Sequence, residues 1–576
     1  MIGERKDLLL FVPTESASFM LKTRLAIVVG CVAFLFQAEA RTDEGSEPLH
    51  QRIDRLIADP TVDYQKHASE LASDAEFLRR VYLDLTGRIP AADQAREFFK
   101  DTDSNKRLRT IDRLLKSPEH ARHLQHHLDV MLMQRLPQKH VEVQQWREYL
   151  FASIRENKSW DMLTREILSA DGFDAEHRAP ARFLLDRELK AEETTRALGR
   201  VFLGRDLQCA QCHDHPNIDD YAQRHYFGLN AFLNRSYLFT DPKSKKKSIG
   251  EKADGTVKFT SVFTNVESET APQMLDLPPF EDPDPDKEPY VSKPEKKSRG
   301  VPKYSRRLLL AKAVTDPANR DFRLNIANRL WALVMGRGLV EPLDMFHSEN
   351  PPSHPKLLDL LANDLAEHGY DMRRTIREIV LSRTYQRSSR LSHDEASESE
   401  RYYAGLLKPL SPEQLAWSMM QATGIVKKTH RKMAVTLQTD RPALPAPSGD
   451  FAFKLEALIN KEQTAHVDTF VTVFASANES SRFDATANQA LFVLNGELIG
   501  EWLKPDKDNL TARLLECETP EQVAEELFLS LLTRRPTENE IAALANLLKE
   551  DKADRTAVLK QAVRSILCSA EFRLNH

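Results

Sequence analysis

The sequence predicts a mainly α-helical protein: two helical domains joined by a polar Pro/Lys/Asp-rich segment that carries a small β-hairpin. Three observations predict it. Apolar residues recur at spacings of three and four through much of 49–235 and again from Ser305 onward, which stripes one face of a helix. Between these stretches, 236–304 loses that period. No period of 20–50 residues marks a solenoid. With 576 residues the chain exceeds one ordinary core, since domains run to about 100–200 residues. A composition of 41% hydrophobic and 29% charged residues supplies enough apolar material for globular cores. The net charge of −5, from 81 basic and 86 acidic side chains, argues against a dedicated nucleic-acid binder, which would carry a basic excess.

Residues 1–40 read as a secretory signal peptide. Lys22 and Arg24 form the basic region, Leu25 to Phe36 the uncharged apolar run, and Ala38-Glu39-Ala40 a small-x-small cleavage site. The 19 residues before Met20 do not fit this layout, so Met20 is the expected start. Cys31 after Val28-Val29-Gly30 offers a lipoprotein reading, ranked lower because the apolar run continues past it. The run is short for a span, and no other stretch is long enough, so no membrane span is expected in the mature chain.

The first helical domain is 49–235. Helices are expected at about 76–85, 145–155 and 160–169. Residues 111–132 should form two helices split by Pro118, with Ser117 as N-cap. Residues 236–304 form the hairpin and linker. Lys243 to Lys247 is a basic run, read as a solvated loop or as a docking patch for an acidic redox partner. Thr256 to Val266 alternates enough for a hairpin. Pro278 to Pro294 is too rich in Pro, Asp, Glu and Lys to build its own core and reads as a linker or surface loop. In the second domain, 305–576, an amphipathic helix should run from Phe322 to Val334 and stop at Gly336. Another should start after Ser353 as N-cap and end at Gly369. A polar interruption is expected at 428–450.

Cys209-Ala210-Gln211-Cys212-His213 carries the sharpest chemistry. Two thiols three residues apart reach the two vinyl groups of a haem, and the next histidine supplies the proximal iron ligand. Haem c is therefore the leading cofactor. Zinc is the alternative, with His213 and His215 beside the cysteine pair; a disulfide or dithiol is the third reading. Candidates for a second axial ligand are Met274, His127 on a helix that also bears His120 and His123, and His225. A solvated polar face is the simpler reading for most of the helix histidines. Cys517 and Cys568 sit among apolar residues and read as buried free thiols, or else as a disulfide. Gly-x-Ser-x-Gly, Gly-x-x-x-x-Gly-Lys and His-Glu-x-x-His are all absent.

Several strings resemble one family. Phe77-Leu78-Arg79-Arg80-Val81-Tyr82-Leu83-Asp84-Leu85-Thr86-Gly87-Arg88-Ile89-Pro90, Phe202-Leu203-Gly204 and Cys209 to His215 resemble the planctomycete cytochrome-C-like domain of unknown function, as does Val257 to Thr260 near its end. Asn325 to Trp331, Gly336 to Val340, Asn350 to Pro355, Leu491 to Gly496 and Leu532 to Thr537 resemble the planctomycete-specific domain that follows it. The resemblance covers nearly all of the chain from residue 49. It implies an exported protein of the periplasm or cell envelope and leaves the biochemical role open. Three functions compete. The first is a haem-c electron-transfer or redox module. The second is an envelope binding or scaffold protein whose Cys/His cluster holds zinc or a disulfide. The third is a haem- or metal-dependent enzyme acting on an exported polymer.

Overall fold

The computed structural model describes residues 47–58, 64–263, 265–284, 286–390, 401–440, 449–475, 486–507, 509–549 and 554–576. The expected signal peptide and Cys31 lie outside the described residues. The fold is mainly helical. The sheets among the described residues are antiparallel pairs of short strands. None of these helices is long and apolar enough to cross a membrane.

The chain packs into two apolar cores, and these do not divide at 236–304. One core combines side chains from Leu49 to Leu275 with others from Leu310 to Tyr403. The second is built mainly from side chains between Leu415 and Phe572, joined by Leu83 and Ile89, whereas Leu529 belongs to the first. The helix Asp74–Thr86 lies between them. Phe77, Leu78, Val81, Tyr82 and Leu85 face the first core, whereas Leu83 joins the second. Ser73 caps its start, accepting from Glu76 N at 3.3 Å, and Gly87 at φ +69° ends it. A side chain at Gly87 is blocked as well as strained, because a Cβ there would lie 2.4 Å from His123 Nδ1.

Burial on all sides explains why this helix carries paired polar groups inside. Arg79 donates to Leu531 O at 3.0 Å and Phe572 O at 2.8 Å. Arg80 donates to Tyr385 O and Arg387 O at 2.7 and 2.6 Å and to Glu76 at 2.6 Å. Asp84 accepts from Lys408 Nζ at 2.5 Å, Asn575 Nδ2 at 2.7 Å and the Tyr385 hydroxyl at 2.9 Å. The helix thus ties residues near position 80 to those near 385, 408 and 572 by hydrogen bonds and ion pairs, as buried charges require.

The expected helices form at Val143–Arg155 and Trp160–Ser169. Pro118 splits Lys106–Leu115 from Pro118–Met133, with Ser117 Oγ accepting from His120 N at 3.2 Å. Four expectations are corrected. The helix Arg320–Met335 is not amphipathic but buried over most of its surface, and its asparagines are internal fasteners. Asn328 accepts from Leu339 N and Val340 N and donates to Val340 O, all between 2.7 and 3.0 Å. The cap of Pro355–Glu367 is His354 instead of Ser353, because Pro355 occupies the first helical position. Residues 428–440 are helical, within Ile425–Asp440, and the next helix begins at Gly449. The hairpin pairs Val257–Thr260 with Glu267–Thr270, which leaves Val262 and Phe263 on its tip instead of in a strand. A further hairpin, Ser236–Thr240 with Lys247–Glu251, carries the basic run on its turn and first paired residue. The Pro-rich segment is pinned at Asp282, which pairs with Arg306 at 2.7 Å and with Arg235.

Candidate functional site

The cysteine turn is delivered by a helix that ends abruptly. Ala191–Leu198 runs into the wider turn Gly199–Leu203, and Gly204 stops it at φ +69°. A Cβ on Gly204 would come within 2.6 Å of the Phe346 ring. The chain then docks through Asp206 N on Asp344 O at 2.8 Å and through buried Leu207. Cys209–Gln211 forms a single 3-10 turn. Ala210 is fully buried and anchors that turn, so the cysteines on either side of it are presented outward. Both are exposed free thiols. Gln223 holds the far side, donating from Nε2 to Cys212 O at 3.0 Å and from its backbone N–H to Asp214 Oδ1 at 2.7 Å.

The two histidines of the motif differ in their available nitrogen. His213 Nδ1 lies 2.7 Å from Asp214 O, and a carbonyl can only accept, so Nδ1 carries the proton. Its Nε2 keeps a lone pair on a half-exposed ring, the arrangement that a histidine ligand needs from its second nitrogen. The ring packs against Phe263 with centroids 5.0 Å apart, and Phe263 is 74% exposed on the hairpin tip. His215 is the reverse. Its Nδ1 accepts from Asn217 N at 3.2 Å, which places the proton of the neutral ring on Nε2 and leaves no free lone pair.

The axial candidates are committed to other contacts, although His225 sits on the helix Gln223–Asn230 that packs against the turn. Met274 is 1% exposed within the first core and serves packing. His225 is buried, donates from Nδ1 to Asp220 O at 2.8 Å and directs Nε2 toward Asp276 at 3.8 Å. His127 lines a different cavity of about 500 Å³, together with His123, His126, Asp84, Lys408 and Glu413. The histidine helix Pro118–Met133 is therefore not a solvated face. His120 and His126 are buried, and His120 donates to Leu85 O at 2.8 Å. Burial pulls His120, His126 and His127 down to about 4, so these imidazoles are neutral near pH 7. Sequence reasoning missed this cavity because its wall joins helices from distant segments.

Among the described residues no three His, Cys, Asp or Glu side chains are grouped to hold a metal ion, so His213, His215 and the thiols are not assembled as a zinc cluster. Cys209 and Cys212 are not bonded to each other. Cys517 and Cys568 are half-buried thiols, each just past the end of its own helix, Leu510–Glu516 and Arg555–Leu567. The Cys517 carbonyl accepts from Arg555, the first residue of Arg555–Leu567, and Cys568 follows its last. Both are free thiols in this structure. Burial pushes both thiols up, which leaves them unreactive.

The atoms that fit a covalently bound haem are thus the sulfurs of Cys209 and Cys212 and Nε2 of His213. Fold and site together define a mainly helical protein with a single outward-facing Cys-x-x-Cys-His turn. Residues 52–237 match the family model described as PSCyt2, a protein of unknown function (DUF1549), and residues 306–548 match PSD1, a protein of unknown function (DUF1553). The chain carries these two domains, the planctomycete cytochrome-C-like domain and its C-terminal companion, in that order. No curated protein and no solved structure matches it.

Proposed function

We propose that this chain is an exported monohaem protein of the periplasm or cell envelope, a redox module that carries haem c at Cys209 and Cys212 with His213 as proximal ligand. The observation that carries the reading is the tautomer of His213 directly after two exposed thiols. Its Nδ1–H is fixed on Asp214 O, and its Nε2 lone pair stays available. A bound haem would supply one-electron chemistry. The chain's own part is to hold the thiols on one side of a rigid turn and to orient the imidazole. Phe263 offers that ring an apolar neighbour. A partner is expected to be an acidic exported protein that meets the exposed lysines on the turn of the first hairpin. Expression with the haem-attachment machinery, followed by a denaturing gel stained for haem, tests the proposal. A stained band at the size of the mature chain is expected, and a folded but unstained protein would reject it.

A further inference from the structure

The cavity of about 500 Å³ beside the histidine helix lies where the two cores meet. The helices Pro118–Met133 and Arg320–Met335, residues 406–414 and Asn575 line it. Val130, Leu333, Leu406 and Leu407 give it an apolar wall. Its charged residues balance, with Asp84, Glu341 and Glu413 against Arg135, Arg337 and Lys408. Lys408 is held by Asp84 at 2.5 Å, and Arg135 pairs with Glu413 at 2.7 Å. The cavity therefore offers no net charge to an ion, and among the described residues no three side chains are grouped to hold a metal. Its uncharged polar groups are different. Asn575 is 2% exposed and spends its Nδ2 on Asp84, which leaves its buried Oδ1 without a donor among the described residues. His126 is 8% exposed, and its buried Nε2 and that of His123 have no hydrogen-bond partner among the described residues. His127 lines the same space. Burial holds these imidazoles neutral, so each ring carries one N–H donor and one acceptor nitrogen.

Buried polar groups left unpaired are costly, and their chemistry says what relieves them. An ionised carboxylate has no proton to give Asn575 Oδ1. An ammonium has no acceptor for the imidazole N–H groups. A hydroxyl both donates and accepts. Several hydroxyls on one small frame meet the imidazoles and the amide oxygen together, while the C–H faces of that frame lie on the apolar wall. The volume falls within the range of small-molecule sites. We infer that this cavity binds a neutral polyhydroxyl compound of the sugar class. The inference stands apart from the haem reading, because the cavity shares no lining residue with the cysteine turn.

The test titrates the full chain calorimetrically with glucose, galactose, N-acetylglucosamine and cellobiose, and with acetate and zinc chloride as controls. At least one of the sugars should bind at one molecule per chain. Two variants then locate it. His127→Phe removes the hydrogen bonds of one ring at similar size. Ala332→Phe extends a half-buried wall residue into the cavity, which covers the case in which His127→Phe fails to fold. Each should weaken the sugar about tenfold or more, through lost hydrogen bonds in the first and lost space in the second. No binding of any of these sugars would overturn the inference and leave the cavity to water. Binding that neither variant weakens would place the sugar elsewhere and overturn it as well. Acetate or zinc binding that His127→Phe abolishes, with no response to the sugars, would overturn it in favour of an ion.

Discussion

The turn at Cys209–His215 and the helix Pro118–Met133 both concentrate ligand-type side chains, and they treat them in opposite ways. The turn is short, rests on one buried alanine and exposes two thiols and a half-open imidazole. The helix sinks His120 and His126 into the interior, with His123 and His127 beside a cavity between distant segments. Substitutions on the turn should therefore change chemistry without disturbing the fold, whereas those on the helix should change the fold.

The largest effect is expected at Arg122, on the histidine helix. It is fully buried, pairs through Nε with Glu456 at 2.8 Å, donates to Thr86 O at 2.7 Å and lies 3.9 Å over the Trp417 ring. Arg122→Ala strands the buried Glu456 carboxylate and should cost about 3–5 kcal/mol, measurable by urea unfolding. A loss under about 1 kcal/mol would show that the two cores do not depend on this contact.

Acid should act next. His120, His126 and His127 sit near 4 in the folded chain, against about 6.5 when exposed. Between these values only the unfolded chain binds their protons, so stability is fully present above pH 6.5 and falls as pH drops toward 4. The shift at fully buried His120 alone corresponds to on the order of 3 kcal/mol. Unfolding free energies across that window should fall steeply, and less steeply in His120→Gln. An unchanged slope would place the proton uptake elsewhere.

The smallest effect is expected on the turn. Cys209→Ala with Cys212→Ala should leave the stability of the haem-free protein within about 0.5 kcal/mol, since the thiols are exposed and unbonded. A loss of several kcal/mol would instead favour a structural metal or disulfide at this position.

What the sequence makes legible follows the same division. Helices set by local signals are readable: Ser117 before Pro118, Gly336 as a stop, and the helix Trp160–Ser169. The Cys-x-x-Cys-His spacing is local too. Properties set by tertiary contact are not. Nothing near His123 tells that Gly87 and the 405–414 segment close over its helix, so its histidines read as solvated. The Phe322–Val334 period looks one-sided only until other segments cover its remaining faces. Likewise Arg187, after the apolar stretch Phe183-Leu184-Leu185, carries a faint signal of burial, but only the fold shows that its guanidinium is fully buried and donates to Phe183 O and Leu132 O.

The central claim is covalent haem on two named sulfurs. Intact-mass analysis of protein matured in the presence of the haem-attachment machinery, compared with Cys209→Ala/Cys212→Ala, tests it most directly. The account predicts one haem of added mass on the wild type, retained after denaturation, and none on the double variant. Wild-type protein at its unmodified mass, or haem still bound to the variant, would contradict it.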